Sequence, residues 1–224
     1  MKENRSYRIY LADIRPLLDE NLQQRVYSRL PRERQEKADR CRFPHARAAS
    51  LAAGFLMEYA LKDQKKEHCH IGYGQWGAPL ILDENGEESG YISLSHSGDF
   101  AACVISDRPV GIDLQKKKAV KKGMLRHFVG QQEQEAFWKQ YRKDETQEVL
   151  SEEGCDAFLR RWTAKESYMK LTGQGMGMGF ERIHVRLDEG GMPVRISDLK
   201  QVFPEASCRE HQVQEGYWLN VSIL

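Results

Sequence analysis

Two stretches of helical periodicity, Ala46 to Leu61 and Cys155 to Leu171, each lie among runs of short strand candidates, and this repeated plan constrains the fold most. In the first stretch Ala49, Ala53, Leu56 and Ala60 recur at helical spacing, with Leu51 and Phe55 beside them and Pro44 just ahead. That pattern predicts a buried helix rich in small side chains. In the second stretch Phe158, Leu159, Trp162 and Met169 form the apolar side and leave Lys165, Glu166 and Lys170 available for chemistry. Period-two runs predict strands at Tyr7 to Ile14, His70 to Tyr73, Pro79 to Leu82, Tyr91 to Ser95, Phe100 to Ser106 and Val110 to Gln115. Further strands are expected at Arg182 to Leu187, Pro193 to Ile196 and Tyr217 to Ile223. Asn85-Gly86 and Glu189-Gly190-Gly191 supply turns. A polar, arginine-rich helical region is expected from Asp19 to Arg42, shorter helices at Lys122 to Phe128 and Gln131 to Arg142, and a polar loop through Asp144 to Glu153. The sum is an α+β protein of two similar halves, residues 1–109 and 110–224, meeting at a central cleft.

A chain of 224 residues can bury a core without a metal or disulfide staple. The net charge of +1 argues against coating nucleic acid by bulk electrostatics, so partners must be sought in local patches. Cys41, Cys69, Cys103, Cys155 and Cys208 stand singly and odd in number, which suits a reducing compartment. Met1 to Arg5 is followed by no apolar run that could serve as a signal-peptide core, and no segment reaches the ~20 apolar residues of a membrane span. A cytoplasmic protein is expected.

The chemistry is concentrated in a split acidic motif. In Gly111-Ile112-Asp113-Leu114-Gln115, strand alternation sends Asp113 and Gln115 to one face, an arrangement of oxygens that a hard cation accepts. About fifty residues on, Trp162, Glu166 and Lys170 fall four apart on one helical face, with Lys165 displaced by one position. Taken alone, Glu166 and Lys170 read equally as a surface ion pair. Ser95-His96-Ser97-Gly98 ends a strand and can present a ring nitrogen and hydroxyls to a phosphate, or simply form a turn. Arg34, Lys37 and Arg40 recur every three residues, either as a solvated face or as a grip on an anion. The glycine run from Gly173 to Gly179 lacks the lysine-serine ending of a P-loop and follows a helix, so by itself it says little.

In combination and order, Ser93-Leu94-Ser95-His96-Ser97, Gly111-Ile112-Asp113-Leu114-Gln115, and Trp162-Thr163-Ala164-Lys165-Glu166-Ser167-Tyr168-Met169-Lys170 with Thr172-Gly173-Gln174-Gly175 resemble the 4′-phosphopantetheinyl transferase superfamily, in its long, surfactin-type class. The resemblance covers roughly Arg32 to Val185. It implies two halves in pseudo-twofold arrangement, each a small antiparallel sheet packed with helices. It also implies an Mg²⁺-dependent enzyme of the holo-[acyl-carrier-protein] synthase type. Such an enzyme moves the phosphopantetheine arm of coenzyme A onto a serine of an apo carrier protein and releases adenosine 3′,5′-bisphosphate.

On that resemblance Asp113 and Glu166, with Gln115, would hold Mg²⁺, and Glu166, or a metal-bound water it orients, would accept the serine proton. Lys165 would contact the diphosphate, and Lys170 would steady or protonate the leaving bisphosphate. His96 and Ser95 would hold the 3′-phosphate end of coenzyme A, with Arg47, and more remotely Arg34 and Lys37, as further contacts. Residues 1–109 would contribute to coenzyme A binding and residues 110–224 would supply metal and catalytic groups. Lys116 to Lys118, Lys121, Lys122 and Arg126, interleaved with Met124 and Phe128, read either as a solvated loop or as a docking surface for an acidic carrier protein, with Met124 or Phe128 as its apolar anchor. A monomer would suffice, with no nucleic acid or membrane partner.

Two positions depart from the family pattern. Gln115 stands where a glutamate is frequent, and Ala78, in Trp76-Gly77-Ala78-Pro79, stands where a phosphate-binding lysine is usual; Arg47 is the first candidate to compensate. The competing reading is a catalytically weak or silent homologue that still binds coenzyme A or a carrier protein. An unrelated Mg²⁺-dependent phosphohydrolase would need a denser aspartate cluster than this chain has.

Overall fold

In the computed structural model the described residues are 7–74, 76–126, 128, 131–144, 146 and 148–224; Met1 to Arg5, where no signal peptide is expected, lie outside them. The first half runs β1 (Tyr7–Asp13), α1 (Glu20–Tyr27), α2 (Arg32–Asp39), α3 (Pro44–Asp63), β2 (His70–Tyr73), β3 (Pro79–Leu82), β4 (Glu88–Ser97) and β5 (Phe100–Ser106). The second runs β6 (Val110–Lys116), α4 (Lys122–Leu125), α5 (Gln131–Tyr141), α6 (Glu152–Leu171), β7 (Ile183–Leu187), β8 (Pro193–Asp198), β9 (Ala206–His211) and β10 (Tyr217–Ile223). Each half forms a five-stranded antiparallel sheet, ordered β1-β5-β4-β3-β2 and β6-β10-β9-β8-β7. Position for position these are the same order, so the α+β fold of two similar halves stands.

Three apolar clusters explain the arrangement. One lies between α3 and the inner face of the first sheet, where Ala48, Leu51, Ala52, Met57 and Ala60 meet Ile92, Cys103 and Ile105. A second lies under α6 and gathers Phe128, Phe158, Leu159, Tyr168 and Met169 with Ile183 and Ile196. The third joins the halves. Ala102 and Val104 of β5 pack there against Ile112 and Leu114 of β6 and Leu219 and Val221 of β10. Fully burying each such aliphatic side chain is worth about 1.5–3 kcal/mol, so the halves are one packed body.

The helix α6 begins three residues earlier than its apolar pattern indicates, because Ser151 caps it by accepting the Gly154 N–H at 3.1 Å. It then lies directly on β6. A Cβ on Gly111 would sit 2.0 Å from the Ser167 carbonyl oxygen, so only glycine permits this approach. Polar pairs fix the register of the packing: Asn220 donates to Thr163 Oγ1 at 2.6 Å, and the Ser167 and Ser222 hydroxyls are 2.7 Å apart.

Two elements differ from expectation. The helical region from Asp19 to Arg42 is two helices, since Pro31 takes an extended ψ of 150° and opens α2 instead of continuing α1. Strand β9 was not foreseen. Its inward residues Ala206 and Cys208 are small and alternate with Ser207 and Arg209, a weak period-two signal.

Candidate active site

The alternation of β6 sends Ile112 and Leu114 into the seam between the halves and Asp113 toward α6. Asp113 is 1% exposed. One of its oxygens, Oδ1, accepts from Lys170 Nζ at 2.7 Å and from Ser95 Oγ at 2.8 Å. The other, Oδ2, is buried without a hydrogen-bond partner. The Glu166 carboxyl lies beside it, and Glu166 titrates well above the ordinary carboxyl range, first because it is desolvated and then because of the Asp113 charge; Lys170 offsets part of this. Two carboxyls this close hold both charges only when a cation or a proton stands with them. Strand β6 and helix α6 thus bring together Asp113, Glu166 and Lys170, as the split motif predicts.

Gln115 follows on the same face, its Oε1 3.4 Å from the Ser97 hydroxyl. Among the described residues no three His, Cys, Asp or Glu side chains group as metal ligands. An oxygen set of two carboxylates and one amide is what Gln115 leaves. The orphaned, buried Oδ2 beside a second carboxyl fits a hard divalent cation with water completing its shell.

Next to this pair a cleft of about 420 Å³ opens between the halves. Lys170 connects the two, since it lines the cleft while bonding Asp113. The other cations on the wall are Arg34 and Lys37, facing the aromatic rings of Tyr73, Trp76 and Tyr91. Arg34 is 3% exposed, and its Nη2 donates to the Ser50 carbonyl at 2.7 Å while its Nε has no partner. Burial lowers the Lys37 pKa, with Arg34 adding to the effect. His96 sits in the same field. Its pKa is lowered first by desolvation and then by Lys170 and Lys37, so the ring is neutral near pH 7.

Three expected site residues meet a different geometry. Lys165 is 5% exposed and points away from the carboxylates, donating to the Phe128 and Phe180 carbonyls at 2.9 Å each. Burial pushes its pKa down to about 8. Lys165 falls on the Phe158, Trp162, Met169 stripe and follows it into the core. Arg47 does not line the cleft: it donates to Gln23 Oε1 at 3.0 Å and to Asp39 at 2.8 Å, under the Tyr27 ring. Arg34 and Lys37, not Arg47, face the space beside Ala78. Ser95 is buried, and its hydroxyl is spent on Asp113 and the Leu114 N–H.

The lysine-rich segment is only partly free. Lys116 pairs with Asp99 at 2.8 Å, Lys117 with Glu152 and Asp156, and Lys122 lies over the Trp138 ring. Phe128 is fully buried among Phe158, Trp162 and Phe180, so it cannot anchor a partner, and Met124 packs against the same core. Lys118, Lys121 and Arg126 remain exposed.

The family model of the 4′-phosphopantetheinyl transferase superfamily matches residues 109–222, from β6 through β10. The chain belongs to that superfamily. It is 26% identical to the 4′-phosphopantetheinyl transferase Sfp of Bacillus subtilis (strain 168) over 221 residues, covering 96% of this chain and 90% of that one. The 4′-phosphopantetheinyl transferase ffp of Bacillus subtilis is likewise 26% identical, over 222 residues, with the same coverage. The human L-aminoadipate-semialdehyde dehydrogenase-phosphopantetheinyl transferase is 28% identical over 199 residues, 82% of this chain and 60% of that one. The bacterial matches run through both halves, so the superfamily's kinship extends beyond the segment matched by the family model. No helix among the described residues is long and apolar enough to cross a membrane.

Proposed function

We propose that this superfamily member transfers the phosphopantetheine arm of coenzyme A to a serine of an apo carrier protein, a reaction of holo-[acyl-carrier-protein] synthase type. The observation that carries the reading is the Asp113/Glu166 pair joined by Lys170 to a cleft walled by cations and aromatic rings. Such a wall suits a ligand with both phosphates and a purine ring. Residues 1–109 supply Arg34, Lys37 and His96 to coenzyme A, and residues 110–224 supply Asp113, Glu166 and Lys170.

Asp113, Glu166 and Gln115 would hold Mg²⁺, which when bound would neutralise charge on the diphosphate. The serine oxygen forms a bond to the phosphorus on the pantetheine side, and the bond from that phosphorus to the adenylate side breaks. Glu166 takes the serine proton. Lys170 offsets the charge on the departing adenosine 3′,5′-bisphosphate. Arg34 and Lys37 hold the phosphates at the far end of the cleft, and the buried Arg34 guanidinium, without a carboxylate partner among the described residues, is the stronger anchor.

The carrier is met by Lys118, Lys121 and Arg126, whose charge steers an acidic helix toward the site. Reversing Lys118 and Lys121 to Glu raises the KM for apo carrier protein severalfold and leaves that for coenzyme A unchanged; an unchanged carrier KM removes this docking surface. The protein works as a cytoplasmic monomer. Incubation with coenzyme A, Mg²⁺ and a panel of apo carrier proteins, read by mass spectrometry, should show the mass gain of one phosphopantetheine arm. Coenzyme A binding with no gain on any carrier would instead identify a silent binding homologue.

A further inference from the structure

Strand β4 presents Ser93, Ser95 and Ser97 on one face, and each hydroxyl accepts a backbone N–H of β6: Ile112 at 3.2 Å, Leu114 at 3.1 Å and Lys116 at 2.9 Å. The three serines thereby close the free edge of the second sheet, whose N–H groups would otherwise lack partners. Once it has accepted, each hydroxyl has one proton left to give. That of Ser95 goes to Asp113 Oδ1 at 2.8 Å, in a site where Ser95 is 7% exposed. Lys170 Nζ reaches the same oxygen at 2.7 Å.

Two donors on Oδ1 and none on Oδ2 fix the rotation of the Asp113 carboxylate and leave a single buried oxygen uncommitted. The Leu114 N–H takes one lone pair of the Ser95 hydroxyl and so narrows the directions in which its proton can point. We propose that Ser95 is a positioning residue for metal binding. It selects which Asp113 oxygen is left for the cation, and it ties metal affinity in the second half to the register of the first. The proposal rests on the Mg²⁺ reading of the Asp113/Glu166 pair. It departs from a phosphate-holding role for Ser95, because the hydroxyl has no hydrogen left for a ligand.

The test is a titration of the full chain with Mn²⁺, followed by electron paramagnetic resonance, on the unaltered protein and on S95A, S95C and S93A. Removing an outer-shell partner of a ligating carboxylate weakens metal binding by about 10–100-fold, so S95A should lose at least about tenfold. S95C, a weaker donor of nearly the same shape, should fall between S95A and the unaltered protein. S93A loses a seam bond to Ile112 but touches no candidate ligand, and should bind Mn²⁺ as before. In S95A the ratio of KM for coenzyme A to KM for dephospho-coenzyme A should also stay unchanged.

Unaltered Mn²⁺ affinity in S95A overturns the proposal. So does an equal loss in S93A, which would mean that the seam acts as a whole, and so does a changed coenzyme A to dephospho-coenzyme A ratio with metal affinity intact. Should S95A fail to fold, S95C decides alone, and full affinity there is an overturning result. If the unaltered protein binds no Mn²⁺, the metal reading itself falls and takes the positioning role with it; if it binds and S95A matches it, only the positioning role falls.

Discussion

Strands β1 and β6 occupy the same place in their halves, and only one of them carries the reaction. Each is a seven-residue edge strand of a five-stranded sheet, followed in sequence by a twenty-residue helix that packs on that sheet. Matching the halves by strand register and helix length sets Tyr10 against Asp113, Glu58 against Glu166 and Lys62 against Lys170. The Glu-x-x-x-Lys pair therefore occurs twice. In the first half it faces no carboxylate, because Tyr10 donates its hydroxyl to Asp63 at 2.7 Å and Glu58 and Lys62 stand exposed. A duplicated frame thus does not by itself make a site; what differs is the buried partner across from the helix.

The comparison predicts its largest contrast in activity. Glu166→Gln keeps the shape of the carboxyl but cannot take a proton, and should lower phosphopantetheine transfer by roughly 10²–10⁴-fold, the usual span for a lost acid-base group. Glu58→Gln, at the matched place, should leave the rate unchanged. Both are read by mass spectrometry of the carrier, with circular dichroism to show an intact fold. Normal turnover in the first variant, or a comparable loss in the second, would erase the division between the halves.

Most of that division was legible in the residues. Period-two alternation marked β6, helical spacing placed Glu166 and Lys170 on one face, and together they located the pair that the fold assembles. Other features were hidden for physical reasons. The stripe Phe158, Trp162, Met169 includes Lys165, but a lysine in an apolar stripe reads as a charge seeking solvent until the two carbonyls that receive it are known. Ser93, Ser95 and Ser97 alternate visibly, yet their acceptor role depends on β6 crossing β4, a tertiary event that spacing does not encode. Arg34 resembled one member of an exposed basic face and is buried instead, because α2 packs against Gly54 and Ser50 of α3.

A second contrast concerns how closely each helix lies on its strand. Gly111, the second residue of β6, faces the Ser167 carbonyl oxygen, where a methyl group would stand 2.0 Å away. Relief requires the α6 backbone to move, which should cost about 3 kcal/mol or more in Gly111→Ala. The matched residue of β1 is Arg8, which is exposed, and Arg8→Ala should change stability by less than about 0.5 kcal/mol. Urea unfolding of both variants measures the difference. Near-equal effects would mean that close contact between α6 and β6 is not what separates the halves.

The smallest expected effect is a slope with pH. Glu166 is held well above its ordinary value of 4.5 by desolvation and by Asp113, so the folded protein binds a proton that the unfolded chain has already released. Its contribution to stability is therefore complete below pH 4.5 and is lost as pH rises through the raised value. Between pH 5 and 8 the metal-free protein should lose on the order of 1 kcal/mol relative to Glu166→Gln, which has no such proton to lose. Glu58 stands at the surface with no carboxylate beside it, so Glu58→Gln should alter the slope less. Melting curves at successive pH values in chelator measure all three proteins. Added Mg²⁺ should restore the alkaline-side melting temperature of the unaltered protein but not that of Glu166→Gln, because the cation takes over from the proton in screening the two carboxylates.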